Sequence, residues 1–268
     1  MSTPALEKLP ITVNGKTVSH IAAWLERPAP ETDGVDGLAV LYMHGFGSDQ
    51  SGTKGDFFRQ RFLNAGIAFC SFDFQGHGES GGGMFDLSLT RNISDIARVH
   101  GFLRAQGFER LLLMGSSMGG GSALWYAANH PEDVAAAVHI APSMELHEGL
   151  MRWVGPENTK KWEREGRILF EHELVSCELS WNLIEDLRSF RMDRLKTNYR
   201  TPTLIFQGKK DRSVPWDKVV DFVVGCEYEG LELHLMADAD HRLLDRLDHV
   251  WRSLHQYLVT QELVNGAA

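Results

Sequence analysis

The feature that most constrains this chain is a rhythm of short apolar runs separated by helical stretches. Leu38 to Met43, Gly66 to Phe72, Arg110 to Met114, Val134 to Ile140, Thr203 to Phe206 and Leu231 to Met236 read as strands. Between and after them, Phe57 to Ala65, Ile93 to Leu103, Ser117 to Asn129, Val219 to Val224 and Leu247 to Val259 read as helices. Short apolar runs alternating with helices imply a mostly parallel, twisted sheet covered by helices on both faces, an α/β fold. The start differs. Ile11 to Leu25 alternates loosely around Asn14-Gly15, a strong hairpin signal, so the N-terminal part of the sheet is expected to be antiparallel. Residues 31–37, with Asp33-Gly34 and Asp36-Gly37, read as a loop.

One segment breaks the rhythm. Residues 143–197 lie between two strand candidates, look helical throughout and carry Trp153, Trp162, Phe170 and Trp181. That is too long for an ordinary crossover. The expected organisation is a core of residues 1–142 and 198–268, with 143–197 as a helical cap (lid) inserted over the C-terminal edge of the sheet.

Composition excludes several function classes. A chain of 268 residues, 43% of them hydrophobic, can bury a core without staples. The net charge of −9 and the lack of a basic block argue against a nucleic-acid partner. Lys160-Lys161 and Lys209-Lys210 are the densest basic pairs and read as solvated surface. Cys70, Cys177 and Cys226 are scattered, with no metal-ligand spacing, and read as free thiols in a reducing compartment. Met1 to Pro10 has neither signal-peptide nor transit-peptide character, and no window approaches the ~18 apolar residues of a membrane span. A cytoplasmic protein with no membrane span is expected.

The chemistry centres on Gly115-Ser116-Ser117-Met118-Gly119, which matches G-x-S-x-G with Ser117 in the middle. The apolar run Leu111-Leu112-Leu113-Met114 leads directly into it and a helix follows directly, the context this motif demands. The spacing has a steric cause. A serine on a very tight strand-to-helix turn projects its Oγ clear of the sheet, and the residues two before and two after it have no room for a side chain. Earlier, Leu41-Tyr42-Met43-His44-Gly45-Phe46-Gly47 ends a strand in a glycine-rich bend. The amides of Met118, after the nucleophile, and Phe46, in this bend, are the expected oxyanion donors. His44, at a strand end, is expected to hold the loop and not to act as a base.

A serine hydroxyl needs an imidazole to take its proton. Of twelve histidines, chain order selects one, because in this arrangement the acid and then the histidine follow the serine. Thr203 to Gly208 forms a strand and Lys209-Lys210-Asp211 the turn after it, so Asp211 is the expected acid. The next strand leads into Ala237-Asp238-Ala239-Asp240-His241, so His241 is the expected base. Asp238, Asp240 and Asp245 compete for the acid role, but share the loop or following helix of His241, where capping or solvent exposure is their expected fate. His234, His249 and His255 sit within a strand or helix.

These residues, with Asp73-Phe74-Gln75-Gly76-His77-Gly78-Glu79-Ser80, Gly208-Lys209-Lys210-Asp211 and Asp240-His241, span most of the chain and resemble the α/β-hydrolase superfamily. A closer resemblance rests on Ser48-Asp49-Gln50-Ser51-Gly52-Thr53-Lys54, Ser180-Trp181-Asn182-Leu183-Ile184-Glu185-Asp186, Val214-Pro215-Trp216 and His241-Arg242. This set is similar to the palmitoyl-protein thioesterase and acyl-glucuronide esterase branch and its bacterial carboxylesterase relatives. Eukaryotic members of that branch are mitochondrial. The resemblance implies a serine hydrolase acting through an acyl-enzyme on a small-molecule acyl ester or thioester, with no cofactor and no metal. It leaves a homodimer open. Two alternatives stand beside it: an amidase or peptidase of the same fold, and a non-catalytic binding protein on a hydrolase scaffold.

Overall fold

A computed structural model describes residues 5–30, 32, 34–172 and 175–264. Two positions of the expected 31–37 loop, 31 and 33, lie outside these. The chain opens with β1 (Ala5–Val13) and β2 (Lys16–Glu26), joined by Asn14 and Gly15. Both turn residues take positive φ, 49° and 76°, as a two-residue turn matching strand twist requires. There follow β3 (Leu38–Met43), α1 (Thr53–Asn64), β4 (Ala68–Phe72), α2 (Leu89–Ala105), β5 (Arg110–Ser116), α3 (Met118–Asn129) and β6 (Val134–Ile140). Next come α4 (Leu146–Val154), α5 (Pro156–Glu165), β7 (Arg167–His172), β8 (Val175–Ser180), α6 (Asn182–Ser189) and α7 (Met192–Asn198). The chain then returns through β9 (Thr203–Gly208), α8 (Trp216–Gly225), β10 (Leu231–Met236) and α9 (Leu247–Thr260).

The main sheet has the order β1-β2-β4-β3-β5-β6-β9-β10. The β1–β2 and β2–β4 pairs are antiparallel, and every pair from β4 to β10 is parallel. The central strands β3 and β9 are buried along their whole length, which is why they read as unbroken apolar runs. Alternate side chains serve opposite faces. Ala39, Leu41, Met43, Leu111 and Leu113 join the core beneath α2, α3 and α8. Leu38, Val40, Tyr42, Leu112 and Met114 join the core beneath α1 and α9.

The segment between β6 and β9 corrects one expectation. It is not helical throughout, because β7 and β8 form a separate two-stranded antiparallel sheet. Gly166, in the left-handed conformation at φ 73°, ends α5 and turns the chain into β7. In β8 burial alternates from Val175 to Glu178, a period of two. The hairpin backs an aromatic cluster: Trp162 is fully buried, donates through Nε1 to the Leu179 carbonyl at 3.1 Å and meets Trp181 edge-on at 5.5 Å.

Two contacts dock this segment against α2 and α3. Asp186 accepts from the Leu89 amide at 2.7 Å, from the Thr90 amide at 3.2 Å and from the Thr90 hydroxyl, at the N-terminus of α2. Phe190 packs edge-on against Trp125 of α3 at 5.1 Å.

Candidate active site

Ser117 stands between β5 and α3 with φ 52° and ψ −118°, a strained conformation for a residue with a side chain. Its amide donates to the Ile140 carbonyl at 3.0 Å, and its carbonyl accepts from Ser143 at 2.9 Å, so the turn is braced from the end of β6. Gly119 makes the turn sterically feasible, since a Cβ there would overlap the Met43 and His44 carbonyls at the end of β3. A Cβ on Gly115 would come within 2.6 Å of the Gly120 nitrogen.

The three residues selected by chain order meet. His241 Nε2 lies 3.1 Å from Ser117 Oγ, and His241 Nδ1 lies 2.7 Å from Asp211 Oδ2. A carboxylate only accepts, so Nδ1 carries the proton and Nε2 is free to accept from the serine. Asp211 lies at the end of β9 with its side chain wholly buried. Its Oδ1 accepts from the Ser213 and Val214 amides, both at 2.8 Å. Its Oδ2 accepts from Gln207 Nε2 at 3.0 Å as well as from His241.

Sequence reasoning missed Gln207. The available signal was a long polar side chain directly after the apolar run Leu204-Ile205-Phe206 in a fully buried strand. It also missed how the His241 loop is shaped. The Lys210 amide donates to the Ala239 carbonyl at 2.9 Å, and Gly208 leaves room for that loop, since a Cβ there would overlap the Ala239 carbonyl. Asp240 Oδ1 accepts from the Arg242 and Leu243 amides at 2.9 and 3.0 Å, while Asp238 pairs with Arg246. His234 faces Phe206 at 5.0 Å. From α1, Lys54 Nζ donates to the Arg242 carbonyl at 3.3 Å, and burial lowers its pKa to about 8.

Phe46 and Met118 flank Ser117. Met118 is the first residue of α3, so its amide has no acceptor within the helix. The 45–48 bend closes with the Ser48 amide donating to the Gly45 carbonyl at 3.2 Å, and Gly47 takes φ 68°. A Cβ on Gly45 would touch the Ser117 Cβ at 3.4 Å, so this bend rests directly on the Ser117 turn. His44 and His77 hold it in place. His44 Nδ1 donates to the Gly45 carbonyl at 2.8 Å, and its Nε2 accepts from the Phe74 amide at 3.1 Å. His77 Nε2 accepts from the Gly47 amide at 3.3 Å. Burial keeps both rings neutral, with pKa values lowered to about 4 for His44 and about 3 for His77. Asp73, whose pKa burial raises, accepts from the Gln50 and Glu79 amides at 2.7 and 2.8 Å and ties the two loops together.

Two cavities share a wall of Ser143, Met144 and Leu146. The outer is lined by Ser117, Phe46, Trp153 and Val214 with Arg152 and Lys218. Lys218 Nζ lies 2.5 Å from Glu145 and 3.4 Å from Glu148, so the carboxylates at this mouth already hold a cation. The inner cavity runs beneath α6 past Met118 and Trp125. Among the described residues, His130, Glu132 and Asp133 are the one group close enough to share a metal ion; Asp133 is engaged by Arg104 at 2.6 Å.

A parallel sheet with an antiparallel start, helices on both faces and a serine turn at a strand end define an α/β-hydrolase. The sequence profile of the Hydrolase_4 family (serine aminopeptidase, S33) matches residues 37–248, and the chain belongs to that family. It is 25% identical over 216 residues to the mitochondrial palmitoyl-protein thioesterase ABHD10 of Bos taurus, covering 78% of this chain and 68% of that one. It is 28% identical over 240 residues to the 2-hydroxy-6-oxononadienedioate/2-hydroxy-6-oxononatrienedioate hydrolase of Paraburkholderia phymatum, covering 75% and 80%. Est1E from Butyrivibrio proteoclasticus, solved with ferulic acid bound, superposes with a TM-score of 0.80 at 20% identity, covering 95% and 98%. Among the described residues, no helix is long and apolar enough to cross a membrane.

Proposed function

We propose that this hydrolase cleaves carboxylic esters or thioesters through an acyl-enzyme. Ser117 Oγ attacks the acyl carbonyl while His241 Nε2 takes its proton, and Asp211 holds the imidazole tautomer and offsets its positive charge. The Phe46 and Met118 amides receive the oxyanion. His241 returns the proton to the departing alcohol or thiol, and a water activated by the same nitrogen releases the acid. The observation that carries this reading is the continuous chain Ser117–His241–Asp211, at 3.1 and 2.7 Å. Residues 143–197 act in it as a cap that roofs both cavities.

The family description favours a second reading, cleavage of an amide next to a free amine. Such a substrate needs an unpaired carboxylate for its ammonium group, and Lys218 occupies Glu145 and Glu148 at the mouth. The test is kcat/KM for matched oxygen esters, thioesters and aminoacyl anilides, with Ser117→Ala alongside. Ester or thioester turnover that disappears in the variant supports the proposal. Anilide turnover exceeding both supports the second reading, and turnover unaffected by the substitution removes Ser117 from the mechanism.

A further inference from the structure

The inner cavity is lined by both apolar and polar side chains. Leu89, Trp125, Met144, Leu183, Leu187 and Phe190 supply apolar wall, and Ser88, Ser122, Ser143 and His147 line it together with Asn92 of α2, which is only 3% exposed. The orientation of that amide follows from its neighbour. Ser122, fully buried on α3, donates its hydroxyl hydrogen to the Met118 carbonyl one turn earlier, at 2.9 Å. With that hydrogen committed, Ser122 Oγ can only accept from Asn92, and Asn92 Nδ2 lies 3.2 Å away. The carboxamide oxygen is therefore the atom left over. Asn92 Oδ1 is buried and has no hydrogen-bond partner among the described residues. A buried acceptor without a donor is costly, so a donor group that entered the cavity would gain by pairing with it.

We propose that the inner cavity takes the acyl group of the substrate, and that Asn92 Oδ1 accepts a hydrogen bond from a hydroxyl group on it. The inference rests on the ester-hydrolase reading of Ser117. Met118 joins the two sites, since it adjoins Ser117, lines the cavity and holds Ser122 through its carbonyl. The aromatic pair Trp125 and Phe190 suits a flat acyl group. A site built to accept from a hydroxyl discriminates strongly against the analogue lacking it, because the buried oxygen is then left unpaired.

The test compares p-nitrophenyl esters of 3-phenylpropanoic acid with their 3- and 4-hydroxyphenyl and 3- and 4-methoxyphenyl counterparts. The methoxy compounds have the bulk but cannot donate. The expected result is a kcat/KM at least roughly tenfold higher for a hydroxyl ester than for both of its partners. That ratio falls to about one in Asn92→Leu. A ratio near one throughout the wild-type series, or one that survives in Asn92→Leu, overturns the inference. Should Asn92→Leu fail to fold, calorimetry on Ser117→Ala with the free hydroxy and unsubstituted acids decides, and equal affinities overturn it. Hydrolysis that depends on Ser117 but ignores the hydroxyl sinks this inference alone. Absence of Ser117-dependent hydrolysis for every ester sinks the underlying reading, and this inference with it.

Discussion

Gln207 donates through Nε2 to Asp211 Oδ2 at 3.0 Å, sharing that oxygen with His241 at 2.7 Å. The same nitrogen lies 3.1 Å from the Gly208 carbonyl, so the side chain is held between the end of β9 and the carboxylate. Gln207 never reaches Ser117 in this arrangement. It acts by fixing which way the carboxylate faces.

Gln207→Leu is accordingly expected to lower kcat roughly tenfold with little change in KM, the loss of one hydrogen bond to a charged group. Gln207→Glu places a second carboxyl group against Asp211 and is expected to be worse, with an altered pH–rate profile. Steady-state kinetics across pH on both variants checks this. A change confined to KM would contradict a positioning role.

Most of this fold was legible because burial on two faces leaves a plain mark. The strands β3, β5, β6 and β9 are continuous apolar runs since helices cover both sides of them. The serine turn was legible for a similar reason: backbone crowding at Gly115 and Gly119 dictates residue type at fixed offsets. The β7–β8 hairpin was not. Trp162, Phe170 and Trp181 suggested a packed helical segment, and the four-residue alternation in β8 is too brief to outweigh them. Gln207, Asn92 and Lys54 escaped because their roles depend on where a polar atom points, which no spacing records. Lys54 and its acceptor are 188 residues apart.

Buried histidines set the acid limit of stability. Burial lowers the pKa of His44 to about 4 and those of His77 and His139 to about 3. The unfolded chain binds these protons near pH 6.5 and the folded chain does not, so their contribution is present above 6.5 and lost as pH falls toward 4. Asp95 works against them, because burial raises its pKa to about 6 and the folded state gains a proton between roughly 6 and 4. Burial also lowers the pKa values of His100, His147 and His234 and raises that of Asp73, so the lowered histidines outnumber the raised carboxyls and leave a net loss toward acid, at about 1.4 kcal/mol per pH unit for each uncompensated proton. His139 is the cleanest probe, since it is fully buried and neither ring nitrogen has a partner among the described residues. Urea unfolding of His139→Leu between pH 6 and 4 is expected to show a shallower decline, by about one proton. An unchanged slope would count against neutral burial.

Asp186 links α6 to the start of α2, where its carboxylate receives the Leu89 and Thr90 amides beside the Ser88 cap. Unpaired amides and the helix dipole favour an anion there. Asp186→Ala is expected to cost about 1–2 kcal/mol of stability, in the range of a lost cap. Leu87, Ser88 and Leu89 line the inner cavity, so the same substitution should raise KM for long acyl esters more than for acetate. Thermal melts and a chain-length series measure the two effects separately. A stability loss with no change across the series would mean that Asp186 serves the fold and not the cavity.

Lys54 ties the segment after the 45–48 bend to the residue after His241 through the Arg242 carbonyl. Burial lowers its pKa to about 8, with Arg242 adding to the depression and Asp240 and Asp211 opposing it. The ammonium form, which donates the stronger hydrogen bond, therefore prevails below about pH 8 and is lost above it. In the wild type kcat is expected to decline as pH rises through that value, as the hold on the His241 loop weakens. Folding stability should move the other way, rising between about 8 and 10.5, because there the folded chain has released a proton that the unfolded chain still holds. Lys54→Met removes both effects, giving a lower kcat at pH 7 with no inflection near 8 and a flatter alkaline stability profile. Pairing a pH–rate profile with unfolding at pH 8 and 10 separates this from simple loss of packing, which would lower stability at both pH values equally and leave the kinetic inflection in place.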